Sequence, residues 1–397
     1  MLKIIAKLIK IDKLLILSGI QQGGSGVGRL MAELQDEISD SKCHAVLITG
    51  DSGRASFRML LKNKQLIELF YYALQSLKKR VILTLVIRLK LFKIFKGVVL
   101  IHPQTIGFDR TLHVLKSHKN AWLYLMDNSF FCVASYNFLE ENHKECTSCL
   151  GGVFENSIHN RCKPFPVKSK KAHEFTQKIF DISKSNNINL LTQNEKQNEL
   201  ARLHLKNSKI IKIGLRTSDM PNAMPDYDRQ TTLYDVCFHG AAHNAKGFAF
   251  SLALARARPD LKFFFPCKNP DERSGLDNCT FVECSWESGL KEAVIKSKLT
   301  LVPSLWSAPI EGALIKSIAF AKKVVAVESK YSYTNEIPDS IVYKISSEVD
   351  VAAQQLDLIL EADSPSYSER KYWYDMFISE NENILKRMIS VSMPLGK

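Results

Sequence analysis

Residues 13–38 read KLLILSGIQQGGSGVGRLMAELQDEI, and this stretch decides the fold. Its first five residues form an apolar run typical of a buried strand, and the glycines between positions 23 and 28 indicate a turn. Apolar residues then recur at helical spacing up to Ile38, and a second apolar run covers residues 45–49. A strand, a glycine-rich turn, a helix and a strand together predict the opening of a doubly wound α/β domain.

The same alternation continues along the chain in two blocks. Further apolar runs extend the first block: 98–101, 122–126, 189–192 and 209–213. A polar, proline-containing stretch at 214–232 reads as a linker. The second block has its own predicted strands: 236–239, 261–265, 280–283, 299–302 and 324–327. The sequence therefore predicts an α/β fold with two Rossmann-like, doubly wound domains that face each other across a cleft.

Length, composition and charge restrict the class of protein. A chain of 397 residues with 45% hydrophobic and 24% charged residues suits two soluble domains. No apolar run approaches the roughly 20 residues of a membrane-spanning helix, and the absence of a signal-like segment predicts a cytoplasmic protein. The formal net charge of +13 requires an anionic partner. Nucleic-acid binding rests only on that charge, because no recognised binding motif accompanies it, so we expect no nucleic-acid partner.

Positive charge is concentrated between Arg54 and Lys96, where eleven Lys or Arg residues stand against one acid, Glu68. Apolar stretches at 69–74 and 81–87 lie among these charges. The segment is either a solvated helical face or a surface that docks on an anionic membrane leaflet. The second interpretation predicts a peripheral protein on the inner face of the cell membrane.

Candidate ligand-binding residues follow two predicted strands of the second block. Gly240 ends the first of these strands, and the loop after it carries Lys246, where a lysine can reach a diphosphate beside a helix N-terminus. Glu311 opens a later helix that carries Lys316. Both sites lie at the carboxyl end of the predicted sheet, where open α/β folds bind ligands.

Four cysteines form a second constellation, with the spacing C-x13-C-x2-C-x12-C: Cys132, Cys146, Cys149 and Cys162. A two-residue gap lets two sulfurs bind one metal ion, and the outer pair can complete a tetrahedral site. The spacing predicts a structural zinc ion. An iron–sulfur cluster and unligated thiols are the alternatives.

The block 238–247, followed by residues 302–306 and 315–326, resembles the GT-B, family-4-type glycosyltransferases. The early loop with Gly24, Gly26 and Gly28 is similar to that family's N-terminal loop, whose amides face an anion. The resemblance implies a retaining, metal-independent transfer of a sugar from a nucleoside-diphosphate sugar. The acceptor it implies is a glycan or a lipid-linked molecule in polysaccharide or lipopolysaccharide biosynthesis.

The resemblance also implies a domain organisation. We expect an acceptor-side domain at 1–213 with a cysteine-rich loop at 128–165, and a donor-binding domain at 233–365. A C-terminal helix at 366–397 is expected to cross back to the first domain. Members of the family with a similar cysteine-rich loop support the placement of that loop.

Several positions depart from the family pattern. Ala241 stands in place of the arginine of the first donor loop, although Lys246 matches the phosphate lysine. Ala308 and Lys316 stand where the family has two glutamates, for the sugar and for the ribose, and Glu311 lies three residues after the first. Either Glu311 takes over the sugar contact, or the donor chemistry differs, or the chain is a degenerate, non-catalytic assembly partner.

The remaining roles follow from the resemblance. Lys246 is expected at the phosphate, Glu311 at the sugar, and Lys316 at phosphate or ribose. In the first domain Met126-Asp127 stands where relatives have His-Asp, so only Asp127 carries over. Its expected role is to orient the acceptor or to support the fold.

Overall fold

The structure is a computed structural model that describes residues 11–40, 44–50, 65–186, 188–225, 231–270 and 276–393. Each half of the chain builds a parallel six-stranded sheet. The first sheet has the strand order β2-β1-β3-β4-β7-β8. Its strands are β1 (Ile11–Ser18), β2 (Ala45–Thr49), β3 (Phe95–Ile101), β4 (Ala121–Tyr124), β7 (Asn189–Thr192) and β8 (Lys209–Lys212).

Helices cover both faces of the first sheet, and a short hairpin of β5 (Phe138–Leu139) and β6 (Lys144–Glu145) lies outside it. The helices are α1 (Gly26–Asp40), α2 (Leu66–Arg88), α3 (Pro103–Ile106), α4 (Phe108–Ser117), α5 (Glu155–His159), α6 (Lys171–Asn186) and α7 (Glu195–His204).

The second sheet has the order β11-β10-β9-β12-β13-β14. Its strands are β9 (Tyr234–Phe238), β10 (Phe263–Phe265), β11 (Cys279–Phe281), β12 (Ser297–Val302), β13 (Val324–Val327) and β14 (Tyr343–Ile345). Its helices are α8 (Phe248–Ala257), α9 (Lys291–Ile295), α10 (Gly312–Phe320) and α11 (Val349–Glu361). Two further helices follow, α12 (Tyr367–Asn381) and α13 (Ile384–Ser392).

Both sheets are doubly wound, and each has a point where the direction of winding reverses. That point lies between β1 and β3 in the first sheet and between β9 and β12 in the second. Ligands of open α/β sheets bind outside the carboxyl ends of the strands at such points. A ligand-binding site is therefore expected at the two reversals. The predicted α/β architecture with two doubly wound halves is confirmed.

Helix α13 returns to the first half, as the predicted crossing helix requires. It packs on β3 and α1, and the side-chain amide of Asn120 donates to the carbonyl of Ser392. The single C-terminal helix expected at 366–397 is instead two helices in the described residues, and Asn383 between them adopts a left-handed backbone with φ +56°.

Helix α1 carries a polar stripe that fixes the rest of the chain to the first half. Arg29, Glu33 and Glu37 are four residues apart and share one face of the helix. Arg29 and Glu33 bind the segment after β8, and Glu37 accepts the N–H of Leu385 at 3.0 Å. One continuous hydrophobic cluster runs from Leu14 in the first sheet into the second half.

Helix α2 buries little of its apolar surface. Leu83 and Ile87 are buried, but Ile67, Phe70 and Leu77 are 84%, 68% and 59% exposed. No helix in the described part of the chain has an apolar stretch long enough to span a membrane. Four of the eleven predicted basic residues lie outside the described residues: Arg54, Arg58, Lys62 and Lys64.

Candidate functional site

A cleft of about 1140 Å³ lies between the two sheets. It is lined by residues that follow β1, β3 and β4 of the first sheet and β9 and β12 of the second: Gly19, His102, Asp127, His239 and Ser304. Both reversals of winding therefore open into the same cavity. A cleft of this size, walled by two sheets, is large enough for an extended small-molecule ligand.

Lys246 and Glu311 form an ion pair inside the cleft. Lys246 closes a short turn after β9, and Glu311 immediately precedes α10. Their side chains are only 18% and 13% exposed. Burial by itself would lower the pKa of Lys246, but the neighbouring Glu311 carboxylate outweighs it, and the pKa is raised. The Lys246 amine therefore remains protonated at neutral pH, as a phosphate-binding amine must.

The turn that carries Lys246 is held against the strand-end residues of β12. Gly247 has φ +74°, and a Cβ atom there would lie 2.1 Å from the carbonyl oxygen of Pro303. Only glycine combines this backbone with so close an approach. The close contact of Gly247 with Pro303 thus fixes the position of the backbone at Lys246.

Two aromatic rings complete the surroundings of the Lys246 amine. Its nitrogen lies 4.9 Å from the centre of the Tyr136 ring and 4.7 Å from that of Trp306, within the range of cation–π attraction. Trp306 follows β12, but Tyr136 belongs to the cysteine-rich loop of the first half. The amine is therefore enclosed by side chains from both halves.

Lys316 is placed differently from Lys246. It is 2% exposed and lies outside the described lining of the cleft. Its amine is 2.5 Å from Asp219, and the guanidinium of Arg29 lies 2.9 Å from the same carboxylate oxygen. Burial lowers the pKa of Lys316, and Asp219 partly offsets this. Asp219 therefore bridges a helix of the first half to a helix of the second.

His239 lies in the cleft wall and is uncharged. Its Nδ1 is 2.8 Å from Ser317 Oγ, and its ring stacks on Trp286 with a centre-to-centre distance of 5.1 Å. Burial, with the nearby Lys316 charge, lowers the pKa of His239 to about 3. Gly240, the next residue, lines the cleft beside it.

The three glycines predicted in the early loop are placed in three different ways. Gly26 lines the cleft at the first turn of α1. A Cβ atom on Gly28 would meet the backbone of Gly23 at 2.7–2.9 Å, so close packing requires glycine there. No atom of the described residues lies within 4 Å of a Cβ atom placed on Gly24. Gly24 and Gly28 lie outside the described lining, so Gly26 is the one of the three glycines that lines the cleft.

Asp127 lies in the first-half wall of the cleft and is 7% exposed. One carboxylate oxygen accepts from the Gln104 amide at 2.8 Å, and the other accepts the N–H of Ser129 at 3.0 Å. Both oxygens are thus engaged by the protein. Asp127 is held in a fixed orientation at the edge of the cavity.

His102, which follows β3, is a cleft residue in an uncommon backbone conformation. Its φ of +62° is rare for a non-glycine residue, and such backbones concentrate at functional sites. Its Nδ1 lies 2.8 Å from the Thr105 hydroxyl. Burial lowers the pKa of His102, and the charge of Asp127 acts in the opposite direction. The ring is fixed beside Asp127 with its second nitrogen free of any described side-chain partner.

The four cysteines of the 128–165 loop do not support the predicted zinc or iron–sulfur site. No group of three or more His, Cys, Asp or Glu residues in the described ranges is arranged to hold a metal ion. Cys132 Sγ faces the carbonyl oxygen of Tyr136 at 4.0 Å, whereas Cys146 Sγ contacts the Ser148 hydroxyl at 2.8 Å. Burial raises the pKa of the Cys149 thiol to about 12, so it is protonated.

Hydrogen bonds to the second half hold this loop in place. The buried Asn137 amide binds the Cys146 carbonyl at 3.0 Å and the Ser307 hydroxyl at 2.6 Å. Its oxygen accepts the N–H of Ser307 at 3.1 Å and the amide of Asn128 at 2.8 Å. The loop is therefore an interdomain contact that carries Tyr136 into the cleft wall.

Sequence patterns indicated only part of this arrangement. Gly240, Lys246 and Glu311 share one wall of the cleft, as their positions after predicted strands indicated. The contribution of Tyr136 had no sequence signal, because it depends on the folding of a loop that crosses between the two halves. Asp219 likewise gave no signal, since it lies in the stretch predicted to be a linker.

No protein-family model matches the chain, and no curated protein matches it significantly. Solved structures do share its fold. A sucrose-phosphate synthase from Thermosynechococcus elongatus is 11% identical with a TM-score of 0.51, and the match covers 96% of this chain and 97% of that one.

Two further structures match over almost the whole chain. An α,α-trehalose-phosphate synthase (UDP-forming) from Burkholderia vietnamiensis is 10% identical with a TM-score of 0.53, covering 96% of this chain and 97% of that one. An α-glucosyltransferase in complex with UDP and a 13-mer DNA is 10% identical with a TM-score of 0.51, covering 96% and 99%. At these identities the likeness shows the fold, which is that of the GT-B glycosyltransferases.

Proposed function

We propose that the chain is a glycosyltransferase that moves a sugar from a nucleoside-diphosphate sugar to an acceptor bound in the same cleft. The observation that carries this proposal is the Lys246–Glu311 pair, which faces the cavity at the winding reversal of the second sheet. Such reversals are where open α/β sheets bind nucleotides. The pair also supplies both charges that a sugar transfer needs.

In the proposed reaction Lys246 binds the diphosphate of the donor. The bond from the anomeric carbon to the leaving phosphate oxygen breaks, the diphosphate departs with the electron pair, and an acceptor hydroxyl oxygen bonds to the same carbon. Lys246 and the N–H groups near Gly240 stabilise the negative charge that develops there. The sugar is transferred with retention, and no metal ion acts on the diphosphate.

Glu311 acts on the sugar side of the same bond. A diphosphate that binds the Lys246 amine competes with the carboxylate that now holds it. Donor binding therefore loosens the ion pair and leaves Glu311 able to accept hydrogen bonds from sugar hydroxyls. Its charge also stabilises the positive charge that builds up on the sugar in the transition state.

The first-half wall takes the acceptor. His102 and Asp127 lie side by side there, and the neutral His102 ring can accept the proton of an acceptor hydroxyl. UDP is the first nucleotide to test, because it appears in the names of two structures with the same fold. The acceptor is a glycan or lipid-linked molecule of surface-polysaccharide or lipopolysaccharide synthesis.

Helix α2 attaches the protein to the inner face of an anionic membrane. Its exposed apolar residues include Phe70 and Leu77, and Lys78 lies among them. Each Lys or Arg near an anionic leaflet contributes roughly 1 kcal/mol to such attachment. The arrangement combines apolar area with positive charge on one solvent-facing surface.

A thermal-shift screen against nucleotides and nucleotide sugars, followed by assays of hydrolysis and transfer, tests the proposal. We expect a nucleoside diphosphate to stabilise the protein and Lys246→Ala to weaken its binding about tenfold or more, because a charge-assisted hydrogen bond is lost. The rival function is a non-catalytic assembly partner. Nucleotide binding without any hydrolysis or transfer would favour that rival, and the absence of nucleotide binding would contradict both the donor site and the proposed reaction.

A further inference from the structure

A groove of about 610 Å³ runs along helix α2 on its solvent-facing side. Its lining on the helix side includes Ile67, Glu68, Tyr71, Tyr72 and Gln75, and Gln21 lines it from the loop after β1. Gln21 is tied to the helix, since its side chain donates to the Tyr72 hydroxyl at 3.4 Å and accepts from Lys79 at 2.5 Å. The groove is therefore a built feature between two elements of the first half.

The groove adjoins the cleft at that same loop. Ile20 lines the cleft, and Gln21, the next residue, lines the groove. Along the helix, Lys79 belongs to the groove and Arg80 to the cleft. From Ile67 to Arg80 the helix rises about 20 Å at 1.5 Å per residue. An extended chain lying in the groove can thus continue into the acceptor side of the cleft.

Cations line the acceptor side of the cleft beyond the groove. Arg110 and Lys168 face the cavity with Arg80, and neither Arg110 nor Lys168 has a carboxylate partner among the described residues. They lie at the starts of neighbouring helices, α4 and α6, which the Asp109–Lys171 ion pair holds together. Two cations that line a cavity without a carboxylate partner are suited to an anionic group.

We propose that the acceptor is an amphiphile whose apolar chain lies in the α2 groove and whose phosphate is bound by Arg110 and Lys168. That this ligand accepts a sugar rests on the proposed function. That the protein binds it does not. Charge and shape select this occupant. The groove takes an apolar chain, the cations of the adjoining cleft take a phosphate, and the sugar attached to that phosphate lies in the same cleft, which Asp127 and Glu311 also line.

Calorimetric titration of the full chain with n-decyl phosphate, kept monomeric in solution, tests the proposal. Neutral n-decyl glucoside and inorganic phosphate are the comparison ligands, since each carries only half of the recognised structure. We expect n-decyl phosphate to bind at least tenfold more tightly than either of them. Equal affinity for n-decyl phosphate and n-decyl glucoside would overturn the phosphate site, and equal affinity for n-decyl phosphate and inorganic phosphate would overturn the groove.

Two sets of variants separate the ends of the site. Arg110→Gln with Lys168→Gln should weaken n-decyl phosphate at least tenfold and leave n-decyl glucoside unchanged, because only charge-assisted contacts are lost. Ser76→Phe should fill the groove and weaken n-decyl phosphate without changing inorganic phosphate. Leu358→Phe, on the exposed side of α11, is the matched control. Unchanged n-decyl phosphate affinity in both test variants would overturn the proposal.

Titration of the same samples with nucleoside diphosphates distinguishes this proposal from the function on which it rests. Nucleotide binding without binding of n-decyl phosphate would overturn the acceptor site and leave the donor site standing. Binding of n-decyl phosphate that depends on Arg110 and Lys168, without nucleotide binding, would support the site and contradict the sugar transfer.

Discussion

The two walls of the cleft treat charge in opposite ways. In the second-half wall Lys246 forms an ion pair with Glu311. Asp219 forms ion pairs with Lys316, which lies outside the described lining, and with Arg29 of α1. In the first-half wall Arg110 and Lys168 face the cavity without a described carboxylate partner. The described lysine of the second-half wall therefore has a carboxylate partner within the protein, whereas Arg110 and Lys168 of the first-half wall have none among the described residues.

This difference separates two ways to build a binding surface. A buried ion pair is held rigidly, and removal of one partner leaves an uncompensated charge in a poorly hydrated place. Solvent-facing cations and exposed apolar residues contribute small, additive amounts instead. We call the second-half wall with Lys246 and Glu311 the paired wall, and the first-half wall with Arg110 and Lys168 the open wall. A single substitution should change binding or turnover strongly at the paired wall, whereas several substitutions are needed for a comparable change at the open wall.

The largest expected effect is that of Glu311→Gln on turnover. The variant keeps the shape of the side chain but loses the negative charge beside the reacting sugar, so transfer should slow about 100-fold or more. Nucleotide affinity should stay equal or rise, because Lys246 loses a competing carboxylate. Single-turnover transfer and calorimetric nucleotide titration measure the two effects separately.

The exposed Glu361→Gln provides a matched control for that experiment. It makes the same chemical change at the end of α11 and should alter neither turnover nor nucleotide affinity. Parent-like turnover in Glu311→Gln would show that the Lys246–Glu311 ion pair only stabilises the structure. The difference in charge between the two walls would then have no role in catalysis.

The next largest effect is expected where the two walls join. Asn137→Ala removes four hydrogen bonds of a fully buried amide and leaves groups on Asn128 and Ser307 unsatisfied. The free energy of unfolding should fall by about 2–3 kcal/mol. Denaturant titration measures this, and Asn156→Ala on the same loop should cost less than half as much. A loss below about 0.5 kcal/mol would mean that the loop does not couple the walls.

A smaller and cumulative effect is expected on α2. Leu74→Ser, Leu77→Ser and Lys78→Gln together should reduce flotation with anionic vesicles about tenfold, because apolar area and charge are both removed. Binding by the parent protein should also weaken as salt rises. The control is Val351→Ser with Leu358→Ser, which removes exposed apolar residues from α11. Equal flotation with neutral and anionic vesicles would refute the attachment.

The smallest expected effect is the pH dependence that His239 gives to the paired wall. Its pKa in the folded state is about 3, against about 6.5 in the unfolded chain. Below pH 6.5 the unfolded chain therefore binds a proton that the folded protein does not, and stability falls as the pH falls towards 3. His239→Gln should lose this contribution, so its stability relative to the parent rises by about 1 kcal/mol between pH 6 and pH 5. Urea titrations at the two pH values measure it, and Leu74→Ser should show no such change.

The strands were predictable because buried parallel strands are short apolar runs. The predicted runs 45–49, 189–192 and 324–327 have the same limits as β2, β7 and β13. Helix α2 was predicted only as one interpretation of the basic segment and without limits, because its apolar residues face solvent and give no helical period to the sequence. Strand β14 was also missed, since its three residues include Lys344.

Only those site residues that directly follow a predictable strand could be identified from the sequence. Gly240, Lys246 and Glu311 follow recognisable strands, and Asp127 lies close to the end of β4. The partners that define their chemistry come from distant stretches: Tyr136 reaches Lys246 across the cleft, and Asp219 takes up Lys316. Such contacts depend on how the halves pack together, which one-dimensional patterns do not contain.

The return of α13 to the first half has a consequence for the order in which the protein matures. The strands of the first sheet all precede residue 213, but the first half lacks its last helix until Leu385 reaches Glu37 and Ser392 reaches Asn120. A ribosome that adds 5–20 residues per second needs roughly 10–40 s to synthesise the chain between β8 and α13. During that interval the first half is without the helix that covers part of β3. The apolar surface that α13 covers is then open to chaperones, so the half of the protein that is synthesised first is among the last to be fully covered.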